Sequence, residues 1–392
     1  MPPRLTILLP LKRRHLFTLR FLFHANRERL PYKFLIADGD VHEALSEVLE
    51  NARSHFPNLD IEYVRYPDDR DFSCYYAKMA DALGRVTTPY VMQADNDDFL
   101  SRSGIERALA FMETNADYVC CAGRIAGFSV TSESGDPVYG LRGTLGRLYH
   151  YYPAKDVSAS SAVDRLRECD RCGWCYYAVF RANALATIWR EVVEIDFSDI
   201  AVHEIFFIAR AVTLGKIRSD TSFINYFRQF GTTLGMYIHD DWVHHLVRSR
   251  LTSDIHETVE RVSLLAAAAD NGDQATATEN IRDVIQIMLD RYLRRKYGLL
   301  GELRHLKARM PGLIRLLRQG ACFSAGRDQA ALLRELAPPS QEYLAELRVE
   351  LATIRQLLAG DELREFLRPY LPLLLPGVVT SNPQTSSTAA PT

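Results

Sequence analysis

Tyr90-Val91-Met92-Gln93-Ala94-Asp95-Asn96-Asp97-Asp98 is the stretch on which the reading of this chain turns. A short apolar run, the length of one strand, delivers a dense acidic cluster. Carboxylates this close repel one another, and a chain tolerates them best where a divalent cation or bound donors neutralise them. The end of a strand is also where α/β sheets hold their ligands. Hard oxygen ligands suit Mg²⁺ or Mn²⁺, ions that commonly bridge a protein to substrate phosphates. The competing possibility is an Asn/Asp-rich turn that caps a helix beginning near Ser101 or Ser103.

Upstream of the cluster, strands and helices alternate. Leu5 to Leu9 is a continuous apolar strand ended by Pro10, followed by a polar turn and an amphipathic helix from about Arg14 to Asn26. Lys33 to Ala37 is a second buried strand, closed by Asp38-Gly39-Asp40, and Ala44, Leu45, Val48 and Leu49 mark a helix. Ile61 to Tyr66 reads as a third strand by alternation and β-branching. An acidic-aromatic loop, Pro67 to Phe72, then leads into a helix from Cys74 to Gly84. This order implies a mostly parallel sheet covered on both faces.

Downstream, Ala108 to Ser129 holds one helix and one strand, and the glycines and polar residues of Thr131 to Ser161 suggest a long loop excursion. Cys175 to Asn225 is a further core block. After about Met236 the pattern is helical only, with apolar positions repeating over Asp254 to Ala269, Thr276 to Tyr297, Leu299 to Arg318 and Gln341 to Leu358. The expected division is a catalytic domain over 1–235, a helical region over 236–376 and a disordered tail over 377–392.

Bulk properties narrow the function classes. A net charge of -2 gives no global argument for nucleic-acid binding. Seven cysteines form an odd set with no signal-peptide pattern before them, which points to reduced thiols in a cytoplasmic protein. Cys169, Cys172 and Cys175 have zinc-like spacing for one pair only, and a structural zinc site needs four ligands. No stretch approaches the roughly 20 apolar residues needed to span a bilayer.

The acidic cluster, Asp38 after the second strand, and His203-Glu204 followed by Arg210 and Gly215 together resemble the family 2 glycosyltransferases, in a bacterial branch carrying a D-x-D-D motif. The resemblance covers roughly residues 4 to 230 and implies the GT-A fold. It implies that Asp38 contacts the nucleotide base and that Asp95 meets the ribose or the metal. Asp97 would hold Mg²⁺ or Mn²⁺ against the diphosphate, with Asp98 as helper or helix cap. Glu204 falls where the family's catalytic base lies, His203 stands where the family often has Glu, and Asp199 and Asp196 are nearby competitors. Gly173 to Arg181 resembles the family's acceptor-side strand, where Trp174 and Tyr176 offer stacking faces for a sugar. Arg228 is placed to meet the diphosphate as a bidentate donor, or to serve as a surface ion-pair residue.

The activity so implied is transfer of a sugar from a nucleotide-diphosphate donor to a hydroxyl of a glycan, lipid-linked or protein acceptor, with inversion. Two rivals stand beside it. A sugar nucleotidyltransferase would carry a Gly-rich phosphate loop after the first strand, where this chain has Pro10-Leu11-Lys12-Arg13-Arg14. A catalytically silent glycan- or lipid-binding scaffold would keep the fold without turnover. His239-Asp240-Asp241 and His244-His245 suit solvated helix caps better than a second metal cluster. The basic, leucine-interleaved segment 291–318 suits either an anionic surface at the inner face of a membrane, an oligomer contact, or a helical pair with its basic face in water.

Overall fold

The computed structural model describes residues 2–41, 44–132, 138–151, 155–169, 175–198, 200–230, 250–297 and 340–375. Nine strands form one sheet among these residues: β1 (Leu5–Leu11), β2 (Lys33–Asp38), β3 (Asp60–Arg65), β4 (Tyr90–Gln93), β5 (Phe99–Leu100), β6 (Tyr118–Thr131), β7 (Thr144–Tyr151), β8 (Val179–Arg181) and β9 (Lys216–Gln229). Their order is β3-β2-β1-β4-β8-β6-β9-β5, with β7 also paired to β6.

The first four strands are parallel, with β1 between β2 and β4. Beyond β4 the sheet is mixed. β8 runs antiparallel to β4 and β6, β7 is antiparallel to β6, β9 is parallel to β6, and β5 is antiparallel to β9. The parallel half is thus the one read from the sequence, and the other half is not. The expected loop excursion over Thr131 to Ser161 is corrected here, because it contains β7 and a bridge between Val157 and Ile217. β1 also runs through Pro10 to Leu11 rather than ending at Pro10.

The helices are α1 (His15–Arg27), α2 (Ala44–Ala52), α3 (Phe72–Gly84), α4 (Arg102–Thr114), α5 (Ala162–Glu168), α6 (Ala182–Ile195), α7 (Ile200–Leu214), α8 (Leu251–Asp270), α9 (Gln274–Tyr297), α10 (Gln341–Ala359) and α11 (Asp361–Leu367). Alternate residues of β1 feed two separate cores, as a strand buried on both faces requires. Leu5, Ile7 and Leu9 pack with α1, α4 and the apolar face of α10 and α11. Leu8 packs on the other side with α3, α6, α7, α8 and α9. The C-terminal helices therefore cover both faces of the sheet.

One contact ties the end of the chain to the acidic segment. Glu350 of α10 accepts from Ser101 Oγ at 2.6 Å and from the Ser103 N–H at 2.8 Å, closing the first turn of α4. Tyr343 of α10 accepts from the Ile224 N–H in β9 at 2.5 Å. Burial pushes the Glu350 carboxyl up, and its bonds to Ser101 and Ser103 oppose that. No helix of the described residues is long and apolar enough to cross a membrane. The α/β architecture with C-terminal helices matches the expectation.

Candidate active site

From β1 the chain steps outward through β2 and β3, then returns to place β4 on the other side of β1. The carboxyl ends of β1 and β4 therefore flank a topological switch point, the place where open α/β sheets form a ligand crevice. Each parallel strand sends chemistry-bearing residues there. Lys12 to Arg14 follow β1, Asp38 to Asp40 follow β2, Asp69 follows β3, and Asp95 to Asp98 follow β4.

Asp95, Asp97 and Asp98 each present one carboxylate oxygen, all within 4.8 Å of one another, the one such cluster among the described residues. Burial, and then repulsion from Asp97, raises the Asp95 carboxyl above the usual range. The same causes, with Asp95 added, raise Asp98 well above it. Donors surround the cluster unevenly. Tyr177 Oη donates to Asp95 Oδ2 at 2.5 Å, while the Asp95 N–H donates to Tyr226 Oη at 2.8 Å. Asp98 Oδ1 accepts from the Gln229 N–H at 2.7 Å. Asp98 Oδ2 is buried with no hydrogen-bond partner among the described residues. The cap of α4 is Ser101, whose Oγ accepts from the Gly104 N–H. The capping role suggested for Asp98 is thereby corrected.

The cluster fits a hard divalent cation. Oxygens bound at about 2.0–2.6 Å to one ion lie roughly 3–5 Å apart, which the observed spacing approaches. The orphaned Asp98 Oδ2 and the raised carboxyls both denote negative charge that the protein itself leaves under-neutralised.

The β1–α1 turn lacks glycine and so gives no phosphate-loop signal in the sequence. Arg13 and Arg14 nonetheless adopt left-handed backbone angles, φ 65° and 60°, each costing about 1–2 kcal/mol for a residue with a Cβ. Asn96 holds this turn in place, donating to the Arg14 carbonyl at 3.3 Å and to Thr18 Oγ1 at 2.9 Å. The Phe17 and Thr18 N–H groups donate to that same carbonyl. So held, Arg14 sets Nη2 2.9 Å from Asp97 Oδ2, an ion-pair contact out of line for a hydrogen bond. Beneath it, buried Arg20 donates to the Asp97, Gly140 and Leu141 carbonyls. Burial brings the Arg20 guanidinium down to about 9. The one sequence signal for the turn arginines is their place at the end of the first strand.

A second group lies at the tips of β2 and β3. Asp38 is fully buried and accepts from the Asp40 N–H at 2.9 Å and from Tyr63 Oη at 2.8 Å. His15 Nε2 stands 3.4 Å from Asp40 Oδ2 and 3.8 Å from Asp38 Oδ2. Lys78 pairs with Asp69, and burial lowers its ammonium. An added Cβ on Gly39 would lie 2.1 Å from Asp69 Oδ2, so glycine is what lets these two tips meet.

The remaining expected residues divide. Arg228 stacks its guanidinium 5.4 Å from the Tyr177 ring centroid and acts electrostatically on Asp95 and Asp98, which brings it to the cluster. Glu204 sits on α7, partly exposed. Its charge reaches the Tyr75 phenol, which burial chiefly holds high and which Asp95 and Asp69 also influence. His203 is enclosed by Tyr76, Trp189, Phe197 and Phe207. Burial lowers it to about 3, so it is a neutral core residue that cannot replace an acid. Asp196 accepts from Ser73 Oγ and faces Arg250. Tyr176 is partly buried in the aromatic layer with Tyr75, Tyr177 and Phe207. Asp199, Cys172, Trp174, the histidines at 239–245, segment 298–318 and the expected tail lie outside the described residues.

No family model and no curated protein matches this chain. Among solved structures it is similar to S. aureus TarS 1-349, at 11% identity and TM-score 0.45 over 94% of this chain and 86% of that one. It is similar to the same protein in complex with UDP, at 12% identity and TM-score 0.45 over 93% and 91%. It is also similar to the mannosyltransferase PcManGT from Pyrobaculum calidifontis in complex with GDP-Man and Mn²⁺, at 12% identity and TM-score 0.39 over 91% and 86%. Likenesses this low carry no weight for activity, so function has to be read from the site itself.

Proposed function

We propose that this chain is a metal-dependent, GT-A-type glycosyltransferase. It moves a hexosyl group from a nucleotide-diphosphate donor to a hydroxyl of a glycan, lipid-linked or protein acceptor. The observation that carries this reading is the convergence of Asp95, Asp97 and Asp98 at the switch point, within 4.8 Å of one another and with Arg14 and Arg228 beside them.

Asp97 and Asp98, with Asp95, would hold Mg²⁺ or Mn²⁺. Such an ion neutralises charge that develops on the leaving diphosphate. Arg228, already stacked on Tyr177 beside the cluster, supplies a further cation to the phosphates. Asp38, gripped by Tyr63 and the Asp40 N–H, is the nucleobase contact. Glu204 is the base that takes the acceptor hydroxyl proton, supported by its reach to the Tyr75 phenol that Asp95 also influences. Asp199 is the second candidate for that role. Inversion follows the family resemblance. Domain limits of 1–235, 236–376 and 377–392, and peripheral contact through 291–318, belong to the same proposal.

The test is a thermal-shift screen against UDP, GDP, CDP and dTDP sugars, with and without Mn²⁺. A ligand of the folded state raises the melting temperature by mass action. We expect a metal-dependent shift from one nucleotide that is lost in Asp97→Ala. If Asp97→Ala keeps wild-type nucleotide-sugar binding, the metal reading fails and the silent scaffold takes its place.

A further inference from the structure

We propose that Arg14 is an internal competitor for the metal position, which leaves Asp97 for the donor diphosphate as the cation arrives. This rests on the metal reading above and adds a residue and an order of events that it does not contain.

The geometry supplies the competition. Arg14 Nη2 lies 2.9 Å from Asp97 Oδ2. A divalent ion bound to that oxygen would sit about 2.0–2.6 Å from it. A divalent cation placed on Asp97 within a few ångströms of the guanidinium is repelled by it, which favours the guanidinium turning away. Its backbone cannot follow. The Arg14 carbonyl is pinned by the Phe17 and Thr18 N–H groups and by Asn96, so the exchange is a swing of the side chain alone. The present contact also lacks hydrogen-bond alignment, which makes it easier to exchange than a bidentate pair.

The swing has a destination. A diphosphate brought in with the metal offers paired anionic oxygens, which a guanidinium fork matches well. In its present position on Asp97 the guanidinium lies 4.6 Å from the Phe17 ring centroid. Metal and donor are then coupled through one side chain. Arg14 would give up Asp97 to a bound ion and hold the donor's phosphates instead.

The experiment uses the full chain and isothermal titration with MnCl₂ alone, then with UDP and GDP at saturating Mn²⁺. Arg14→Gly suits the left-handed backbone at this position and removes the cation, Arg14→Lys retains it, and Asp97→Ala marks non-specific binding. We expect Arg14→Gly to bind Mn²⁺ at least tenfold tighter than wild type, about 1.4 kcal/mol, and the nucleotide diphosphate at least tenfold more weakly. Arg14→Lys should stay near wild type for the metal. Unchanged or weaker Mn²⁺ binding by Arg14→Gly, with near-ultraviolet circular dichroism showing a native fold, would overturn the competition. If wild type and Arg14→Gly bind Mn²⁺ no better than Asp97→Ala, the metal reading itself falls and this proposal with it.

Discussion

Replacing Tyr177 by Phe removes a single oxygen and tests whether the acidic cluster is held as described. Tyr177 Oη donates to Asp95 Oδ2 at 2.5 Å, a charge-assisted bond at the short end of its range. Its ring stacks on Tyr226 at 4.3 Å and 12°, and a phenylalanine keeps that packing. The loss is therefore the hydrogen bond to a charged group, about 1.5–3 kcal/mol. Asp95 already lies above the usual carboxylate range because it is buried and faces Asp97. Without the phenol it moves further up, each unit corresponding to about 1.4 kcal/mol. The clean measurement is a double-mutant cycle in urea with Tyr177→Phe, Asp95→Asn and both changes together, in the presence of chelator. The expected coupling energy is about 1.5–3 kcal/mol. A coupling below about 0.5 kcal/mol, the scatter expected of independent sites, would refute the bond. Because the phenol also orients a metal-facing carboxylate, Tyr177→Phe should weaken Mn²⁺ binding by about 10–100-fold.

Three further outcomes follow from geometry described above. The stabilisation that Mn²⁺ confers should grow as pH rises above the ordinary carboxylate range. Asp95 and Asp98 have raised folded-state carboxyls, so without the ion their ionisation removes stability as pH rises above the ordinary carboxylate range, and the ion restores it; melting curves across pH with and without Mn²⁺ check this. Glu350→Ala should cost about 2–3 kcal/mol in urea unfolding, because it strips the Ser101 hydroxyl and the Ser103 N–H of their acceptor, and Glu350→Gln should cost less. Gly39→Ala should cost about 3–5 kcal/mol by driving Asp69 off Lys78, with nucleotide binding lost at the same time; denaturation and the thermal-shift screen read the two effects.

What is legible in the sequence follows local rules. β1, β2 and β4 are buried on both faces, so their apolar runs are continuous and their ends are marked by charge. The acidic cluster is legible because its mutual repulsion calls for a neutralising partner, and its place at a strand end says where that partner sits. β7 is not, because its glycine and polar residues look like a loop, and it is a strand only through pairing with the far half of β6. Asn96 and Tyr177 carry no local signal either, and Arg14 only its place at a strand end. Each becomes important through a partner about 80 residues away in the chain: Asp97 for Arg14, the Arg14 carbonyl for Asn96, and Asp95 for Tyr177. The place of the Lys12-Arg13-Arg14 turn, at the tip of the central strand, is the clue the sequence offers. The absence of glycine there counts against a phosphate loop, yet two arginines take up the backbone angles that glycine usually supplies.

The grip of Glu350 on the start of α4 has a consequence for how the protein is made. All nine strands are complete by Gln229, but the acceptor that closes the segment after the acidic cluster lies some 120 residues further on. At about 5–20 residues per second, a ribosome needs roughly 6–24 seconds to cover that distance. Throughout that interval the segment that follows the carboxylates leads into a helix start whose last acceptor has not been synthesised. The site is thus among the last parts of the molecule to mature.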